Sequence, residues 1–262
     1  MEQNNLKLAV LIDADNISYK YLKTLFNEVA QYGVACIKKV YGDWSSPILS
    51  PWKQEALHFS IIPVHQFSYT TGKNSTDSAM IIDAMDVLYA DKVDGFCLVS
   101  SDSDFTRLAS RIRESGKMVI GFGENKTPQS FRAACDKFIC LDLIENIVKV
   151  EHTDDSATND IQTEDLDSNA ALSNMSSIPS EIIELLKKII TENNDDEDGW
   201  IFLGKVGQLV NRYKSDFDFR VYGASSLSVL FKMLNSDFEI QFRESADPHI
   251  KHPYVRCRRA DF

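Results

Sequence analysis

Four aspartates occur where their carboxylates could act together on one ligand. Asp13 ends the run LAVLID, Asp77 lies in NSTDSAM, and Asp102 and Asp104 follow the apolar run GFCLVSS. Carboxylates that share one crevice repel each other unless a proton or a divalent cation relieves the repulsion. Oxygen ligands favour Mg²⁺ or Mn²⁺ over zinc. Because such a cation can activate water and stabilise charge on a phosphodiester, the pattern predicts metal-dependent phosphodiester chemistry.

The neighbouring sequence predicts that each aspartate ends a strand or begins a helix. Leu6–Asp13 and Phe96–Ser100 are apolar runs of the kind that parallel sheets bury on both faces. Ser75–Ala90 has a long helical pattern with Asp77 in its first turn. Ligands of open α/β sheets bind at the carboxyl ends of the strands. We therefore expect the four aspartates to meet at one edge of a sheet.

Strand and helix patterns alternate over residues 1–150, which predicts an α/β domain with a mainly parallel sheet covered by helices. The further strands expected are Val34–Tyr41, Ser60–Phe67, Met118–Phe122 and Phe138–Leu141. The further helices expected are residues 17–32, Pro51–Phe59 and Phe105–Ser115.

The net charge of −11 is concentrated in one short segment. Residues 1–150 carry −2, residues 151–177 carry −7, and residues 178–262 carry −2. Residues 151–177 are rich in Asp, Glu, Ser, Thr and Asn and contain no aromatic residue, which predicts an acidic disordered linker. Since the acidity lies mainly in this linker, the charge neither excludes nor indicates a nucleic-acid partner.

Residues 178–262 have the pattern of a small winged helix-turn-helix domain. Helical patterns cover Ser180–Ile190, Trp200–Tyr213 and Ser225–Leu234, and two strands follow at Phe238–Arg243 and Tyr254–Arg258. The bases Lys251, Arg256, Arg258 and Arg259 could form a wing that contacts phosphate. The alternative is that these bases only balance nearby acids.

The cysteines and the apolar runs indicate a cytoplasmic protein. The five cysteines are odd in number and have no C-x-x-C spacing, which is typical of buried thiols in a reducing compartment. No signal-peptide pattern is present, and no apolar run approaches the roughly 20 residues that a membrane span needs. We therefore expect no membrane association.

Single residues of the acidic set could also occur for reasons unrelated to a metal. Helix capping would account for Asn16, and the helix dipole would account for Asp77. The Asp13-Ala14-Asp15 sequence also resembles the nucleophile motif of haloacid-dehalogenase-like phosphatases, although the expected Thr or Val after the second aspartate is absent. Asp83 lies well around the helix from Asp77, so we expect it to support the site or the helix.

Residues 1–150 resemble the NYN domain, a PIN-like nuclease family, in its LabA-like branch. LIDADN, GKNSTDSAMIIDAMD, LVSSDSDF and CDKFICL carry the resemblance in the family's order. It implies a PIN-like α/β/α sandwich that cuts RNA with Mg²⁺ or Mn²⁺, as an endoribonuclease. Carried over, Asp13, Asp77, Asp102 and Asp104 would be catalytic metal ligands or would position water. Asn16 would contact substrate or orient Asp13, and Lys73 and Ser101 would face phosphate.

The C-terminal segment LGKVGQLVNRYKSDFDFRVYGASSLSVLFKML resembles the OST-HTH (LOTUS) domain, which binds RNA or protein partners. Two functions follow from the two resemblances. One is a metal-dependent ribonuclease that acts on single-stranded or structured RNA. The other is a catalytically silent RNA-binding or regulatory protein. The oligomeric state stays open and includes a homodimer.

Overall fold

The structure is a computed structural model that describes residues 6–66, 75–145, 178–195, 198–244 and 251–258. The chain divides into two compact units, Met1–Asn146 and Ile147–Phe262. The predicted acidic linker and Lys73 lie outside the described residues, and the residue boundaries of the domains stay predictions.

Six parallel strands form the sheet of the first unit in the order β3-β2-β1-β4-β5-β6. This arrangement confirms the predicted α/β class with a parallel sheet. The strands are β1 (Leu6–Asp13), β2 (Gly33–Gly42), β3 (Ile62–His65), β4 (Gly95–Val99), β5 (Met118–Gly123) and β6 (Lys137–Cys140).

Helices cover both faces of this sheet, as the α/β/α sandwich requires. The helices are α1 (Leu22–Ala30), α2 (Ser50–His58), α3 (Ser75–Ala90), α4 (Thr106–Glu114) and α5 (Gln129–Ala134). Side chains of a strand alternate between faces, so Val10 packs in the core with α1 and α2, whereas Leu11 packs with α3, α4 and α5. Burial on both faces explains why β4 and the stretch Leu8–Ile12 of β1 are apolar.

The strand order reverses beside β1, and this reversal creates the crevice in which open sheets bind ligands. The chain places β2 and β3 on one side of β1 and then returns to place β4 on the other side. Ile12 of β1 pairs with Val99 of β4. Asp13 and Ser100 therefore leave the sheet side by side, where the connections diverge.

Short elements differ from the sequence-based expectations. Helix α5 was not predicted, because six residues are too few to show a helical repeat. The first predicted helix, residues 17–32, is divided into the 3₁₀ turn Tyr19–Tyr21 and α1. Strand β3 is four residues long and so shorter than the expected Ser60–Phe67.

The second unit contains the three expected helices and the expected β-ribbon. They are α6 (Ser180–Asn193), α7 (Leu203–Tyr213) and α8 (Leu227–Met233), with strands β7 (Ile201–Phe202), β8 (Phe238–Glu244) and β9 (Lys251–Cys257). The strands form an antiparallel sheet in the order β7-β9-β8. Their inner face buries Ile201 and Val255 against helix residues that include Leu186, Val206 and Leu230.

Two elements of this unit correct the prediction. Strand β9 begins at Lys251 rather than at Tyr254. We expected Trp200–Tyr213 to be helical throughout, but α7 begins at Leu203. Ile201 and Phe202 instead pair with Val255 and Tyr254 of β9. Over the ranges that the structure describes, no helix has both the length and the apolar character that a membrane crossing requires.

Candidate active site

Three of the four predicted aspartates lie together beyond the carboxyl end of β4. Asp77 lies in the first turn of α3, and Asp102 and Asp104 belong to the short 3₁₀ turn between β4 and α4. One carboxylate oxygen from each of the three lies within 4.8 Å of the other two. Asp77 is 8% exposed, Asp102 is half-buried and Asp104 is exposed. The cluster is therefore closed at Asp77 and open to solvent at Asp104.

Hydrogen bonds hold the loop that carries Asp102 and Asp104. The side chain of Asp102 caps the 3₁₀ turn by accepting a bond of 3.0 Å from the backbone N–H of Asp104. The backbone N–H of Asp102 donates to Oγ of Ser100 at 3.1 Å. Capping therefore explains one contact of Asp102, and its carboxylate also belongs to the acidic cluster.

Asp13 is fully buried and lies outside the group of three oxygens. Its Oδ2 accepts hydrogen bonds from Nδ2 of Asn16 at 2.8 Å and from Oγ of Ser100 at 2.7 Å. Its Oδ1 accepts from the backbone N–H of Asp15 at 3.1 Å. Asn16 thus orients Asp13, which is one of the two roles considered for it.

Burial, followed by repulsion between carboxylates, raises the pKa values of the buried acids Asp13 and Asp77. Burial raises the pKa of Asp13, and the bonds from Ser100 and Asn16 oppose that rise. Burial, followed by the charges of Asp13, Asp102 and Asp104, raises the pKa of Asp77 to about 6 from its usual 3.8. Asp13 therefore acts electrostatically on the cluster although it lies outside the group of three.

The donor set fits a hard divalent cation. All three clustered ligand atoms are carboxylate oxygens, which Mg²⁺ and Mn²⁺ prefer. Two oxygens bound to one Mg²⁺ lie no more than about 4.2 Å apart. Small side-chain rotations would bring oxygens within 4.8 Å to that separation. The raised pKa of Asp77 also reflects repulsion that a cation would relieve.

Two adjacent serines at the end of β4 have different surroundings. Oγ of Ser101, the predicted phosphate contact, accepts a bond of 2.9 Å from the backbone N–H of Glu124 and keeps its own proton to donate. Ser100 joins Asp13 to the Asp102 loop, and it was not among the predicted site residues. The signal that could have found it was its position directly after a buried strand.

Asp83 has partners away from the acidic cluster. Its Oδ2 accepts bonds from Nζ of Lys39 at 2.7 Å and from the hydroxyl of Tyr41 at 2.9 Å. Burial and the neighbouring carboxylate raise the pKa of Tyr41, so its proton stays in the bond. Asp83 therefore ties α3 to β2.

The residues of the predicted basic wing make different contacts. Arg256 forms an ion pair of 2.8 Å with Glu239, and Nε of Arg258 donates to the backbone oxygen of Asn235 at 2.6 Å. Lys251 is exposed, and Arg259 lies outside the described residues. These contacts show that acids neutralise part of the wing.

Two family models match the chain in the order expected from its motifs. The model of the NYN domain matches residues 7–142, and the model of the OST-HTH/LOTUS domain matches residues 174–250. These domain types indicate a nuclease or RNA-binding protein. The LabA-like branch stays a prediction. No curated protein matches the chain.

Two solved structures are similar to parts of the chain. The crystal structure of a protein of unknown function from Vibrio parahaemolyticus is 20% identical, with a TM-score of 0.45, and the match covers 53% of this chain and 95% of that one. The solution structure of an uncharacterized protein from Nitrosomonas europaea is 23% identical, with a TM-score of 0.31, and covers 40% and 96%.

Proposed function

This chain belongs to the NYN domain family, and we propose that it is a metal-dependent ribonuclease. In this proposal the N-terminal domain cleaves phosphodiester bonds of RNA as an endonuclease with Mg²⁺ or Mn²⁺. The C-terminal OST-HTH/LOTUS domain binds the RNA or a protein partner. The family match favours this function over that of a haloacid-dehalogenase-like phosphatase.

The observation that carries the proposal is the convergence of Asp77, Asp102 and Asp104 at the crevice where the strand order reverses. The three carboxylates come from two separate segments, and their repulsion contributes to the raised pKa of Asp77. Clustered carboxylates lower the stability of the metal-free protein, and a bound cation would relieve their repulsion. Its exposed side, at Asp104, leaves room for a polymer to approach.

Each residue of the site has a role that follows from its surroundings. Asp77, Asp102 and Asp104 would hold the cation, and Asp13 would add negative charge from the buried side as a further ligand or orienting group. When bound, the cation would activate water and stabilise charge on the scissile phosphate. Asn16 holds Asp13 in position through its amide.

Substrate contact is proposed for two further residues. Ser101 has a hydroxyl proton that it can donate to a phosphate oxygen, while its oxygen accepts from Glu124. Lys73 retains its proposed role as a phosphate contact by virtue of the family motif in which it lies.

A cleavage assay on labelled single-stranded RNA, structured RNA and DNA, with Mg²⁺ or Mn²⁺, tests the proposal. We expect RNA cleavage by the wild type and none by the double variant Asp102→Asn, Asp104→Asn. Asp86→Asn is the matched control, because Asp86 is an exposed acid farther along α3. Equal cleavage by the wild type and the double variant would overturn the assignment. Binding of Mn²⁺ and RNA without any cleavage would favour the catalytically silent alternative.

A further inference from the structure

The outer face of the C-terminal sheet combines aromatic rings with guanidinium groups. Ile201, Ile240 and Val255 are neighbours across the three strands, and they point into the core. Since successive side chains of a strand point to opposite faces, the residues between them share the outer face. We call this surface the cation–aromatic face. It consists of Trp200, Phe202, Glu239, Gln241, Arg243, His252, Tyr254 and Arg256, and Glu239 forms an ion pair of 2.8 Å with Arg256.

The rings hold the two arginines in place. Cζ of Arg243 lies 4.6 Å from the ring centroid of Tyr254 and 5.2 Å from that of Trp200. Cζ of Arg256 lies 4.6 Å from the ring centroid of Trp200, which is only 6% exposed. Cation–π contacts of this kind order the guanidinium groups before any ligand arrives, so binding costs less side-chain entropy.

Phe202 offers an accessible ring on this face, with 36% of the residue exposed. Its centroid lies 5.6 Å from that of His252 and 5.8 Å from that of Tyr254. Gly204 lies under the ring, because a Cβ atom at this position would be 2.5 Å from Cε1 of Phe202. The ring is therefore supported from the side of α7 and presents its remaining surface to solvent.

We propose that the cation–aromatic face binds single-stranded nucleic acid. Bases would stack on Phe202 and on the guanidinium planes, and Arg243 would attract the phosphates. The charge of Arg256 is balanced by Glu239, so Arg256 would contribute mainly by stacking. A duplex offers phosphates but keeps its base faces stacked inside. An acidic peptide offers charge without flat rings. A flexible strand with both features complements this surface best.

This inference rests on the RNA-binding role proposed above for the C-terminal domain, and it assigns that role to a surface. The face belongs to the second unit and the acidic cluster to the first, and binding does not require cleavage. RNA and DNA share the chemistry that the face would recognise, and the experiment distinguishes them.

The test measures fluorescence anisotropy of a short labelled single-stranded RNA with the full chain in EDTA. We expect Phe202→Ala to weaken binding about tenfold, since stacking on one ring contributes roughly that factor or more. Gly204→Ala should also weaken it by displacing the ring, and Arg243→Lys by removing a stacked plane while keeping the charge.

Phe242→Ala is the matched control. Phe242 is 48% exposed and precedes Arg243 in β8, but it points to the opposite face, where Nζ of Lys232 lies 5.6 Å from its ring centroid. We expect this variant to bind RNA like the wild type. Thermal melts of all variants identify any that fail to fold, and the conservative Arg243→Lys change then decides the result.

Competition experiments separate the possible ligands. Single-stranded DNA should compete with labelled RNA if the face recognises the shared chemistry, and duplex RNA and polyglutamate should compete much more weakly. Equal affinities of Phe202→Ala and Phe242→Ala, absence of wild-type binding, or equal competition by duplex or polyglutamate would overturn the inference. If binding shows no such difference while metal-dependent cleavage persists, only this inference fails. If the binding difference holds without cleavage, only the nuclease proposal fails.

Discussion

The two sheets of this protein carry charge clusters of opposite sign that are compensated in opposite ways. At the edge of the parallel sheet, three carboxylates have oxygens within 4.8 Å of one another, and burial followed by repulsion from neighbouring carboxylates raises the pKa of Asp77. On the antiparallel sheet, Arg243 and Arg256 lie over aromatic rings, and Arg256 also pairs with Glu239. The acidic cluster is strained in the free protein, whereas the basic one is stabilised.

This difference separates a site suited to chemistry from a surface suited to binding. Repulsion among acids is relieved when a cation enters, so affinity for the cation is obtained at the expense of free-protein stability. Guanidinium groups ordered on rings require no such relief and can stay exposed to a ligand. Removing a charge should therefore stabilise the first region and destabilise the second.

The largest expected effect is on cleavage. Asp77→Asn should reduce metal-dependent RNA cleavage by about 100-fold or more, as loss of one electrostatic group in an active site does. Initial rates at saturating Mn²⁺ provide the measurement, with Asp86→Asn on the same helix as the control. A rate within a few-fold of the wild type would remove Asp77 from the site.

The same substitution should stabilise the metal-free protein. The rise in the pKa of Asp77 from 3.8 to about 6 corresponds to at most about 3 kcal/mol lost from the free energy of unfolding at neutral pH. Asn carries no charge and avoids this loss. Urea denaturation in EDTA at pH 7.5 measures the gain, which should be absent in Asp86→Asn.

The pH dependence of this gain has a definite direction. The stability that comes from protonated Asp77 is fully present below 3.8, its usual pKa, and is lost as pH rises through about 6. The difference between Asp77→Asn and the wild type should therefore be small near pH 4 and greatest above pH 6. A difference that grows towards acid pH would contradict the raised pKa of Asp77 on which the comparison depends.

A smaller effect is expected at Ser100. Ser100→Ala removes the 2.7 Å bond to Asp13 and should lower the free energy of unfolding by about 1 to 3 kcal/mol at neutral pH. The pKa of Asp13 should rise further, because this bond lowers it. NMR titration of the carboxyl carbon follows that pKa. Ser101→Ala is the control and should leave the pKa of Asp13 unchanged.

The smallest effect is expected on the cation–aromatic face, and its sign is opposite to that of the Asp77→Asn effect on stability. Arg256→Gln should lower the free energy of unfolding by about 1 kcal/mol, because it removes a partly exposed ion pair and a cation–π contact. Urea denaturation with and without Mn²⁺ should give the same loss. If Arg256→Gln raised the free energy of unfolding, the two clusters would not differ in how loss of a charge changes stability, and the comparison would be wrong.

The fold could be predicted where burial constrains many residues at once. Strand β4 and the stretch Leu8–Ile12 of β1 are apolar because helices cover both faces of the sheet, and the run length identified them. Strand β7 could not be recognised, because two residues carry no periodicity and its partner β9 lies far along the chain.

The site was predictable in composition but not in contacts. Acids that follow buried strands predicted a metal site at the edge of the sheet. The choice between Ser100 and Ser101 depended on the direction of each side chain at the strand end, and only the pairing of Ile12 with Val99 places Ser100 beside Asp13. The partners of Asp83 likewise lie on β2, a strand distant in sequence.

The sequence alone determined the two-domain pattern, the parallel sheet and the set of four aspartates. Apolar runs and their spacing indicate which strands are buried, and the acids at the ends of these runs can be read directly. The tertiary structure decided which carboxylates meet, that Asp13 is buried and accepts bonds from Asn16 and Ser100, and that two arginines lie over aromatic rings. These outcomes depend on distances between segments that are far apart in the chain. Such distances are set by strand register and packing, which no local pattern encodes.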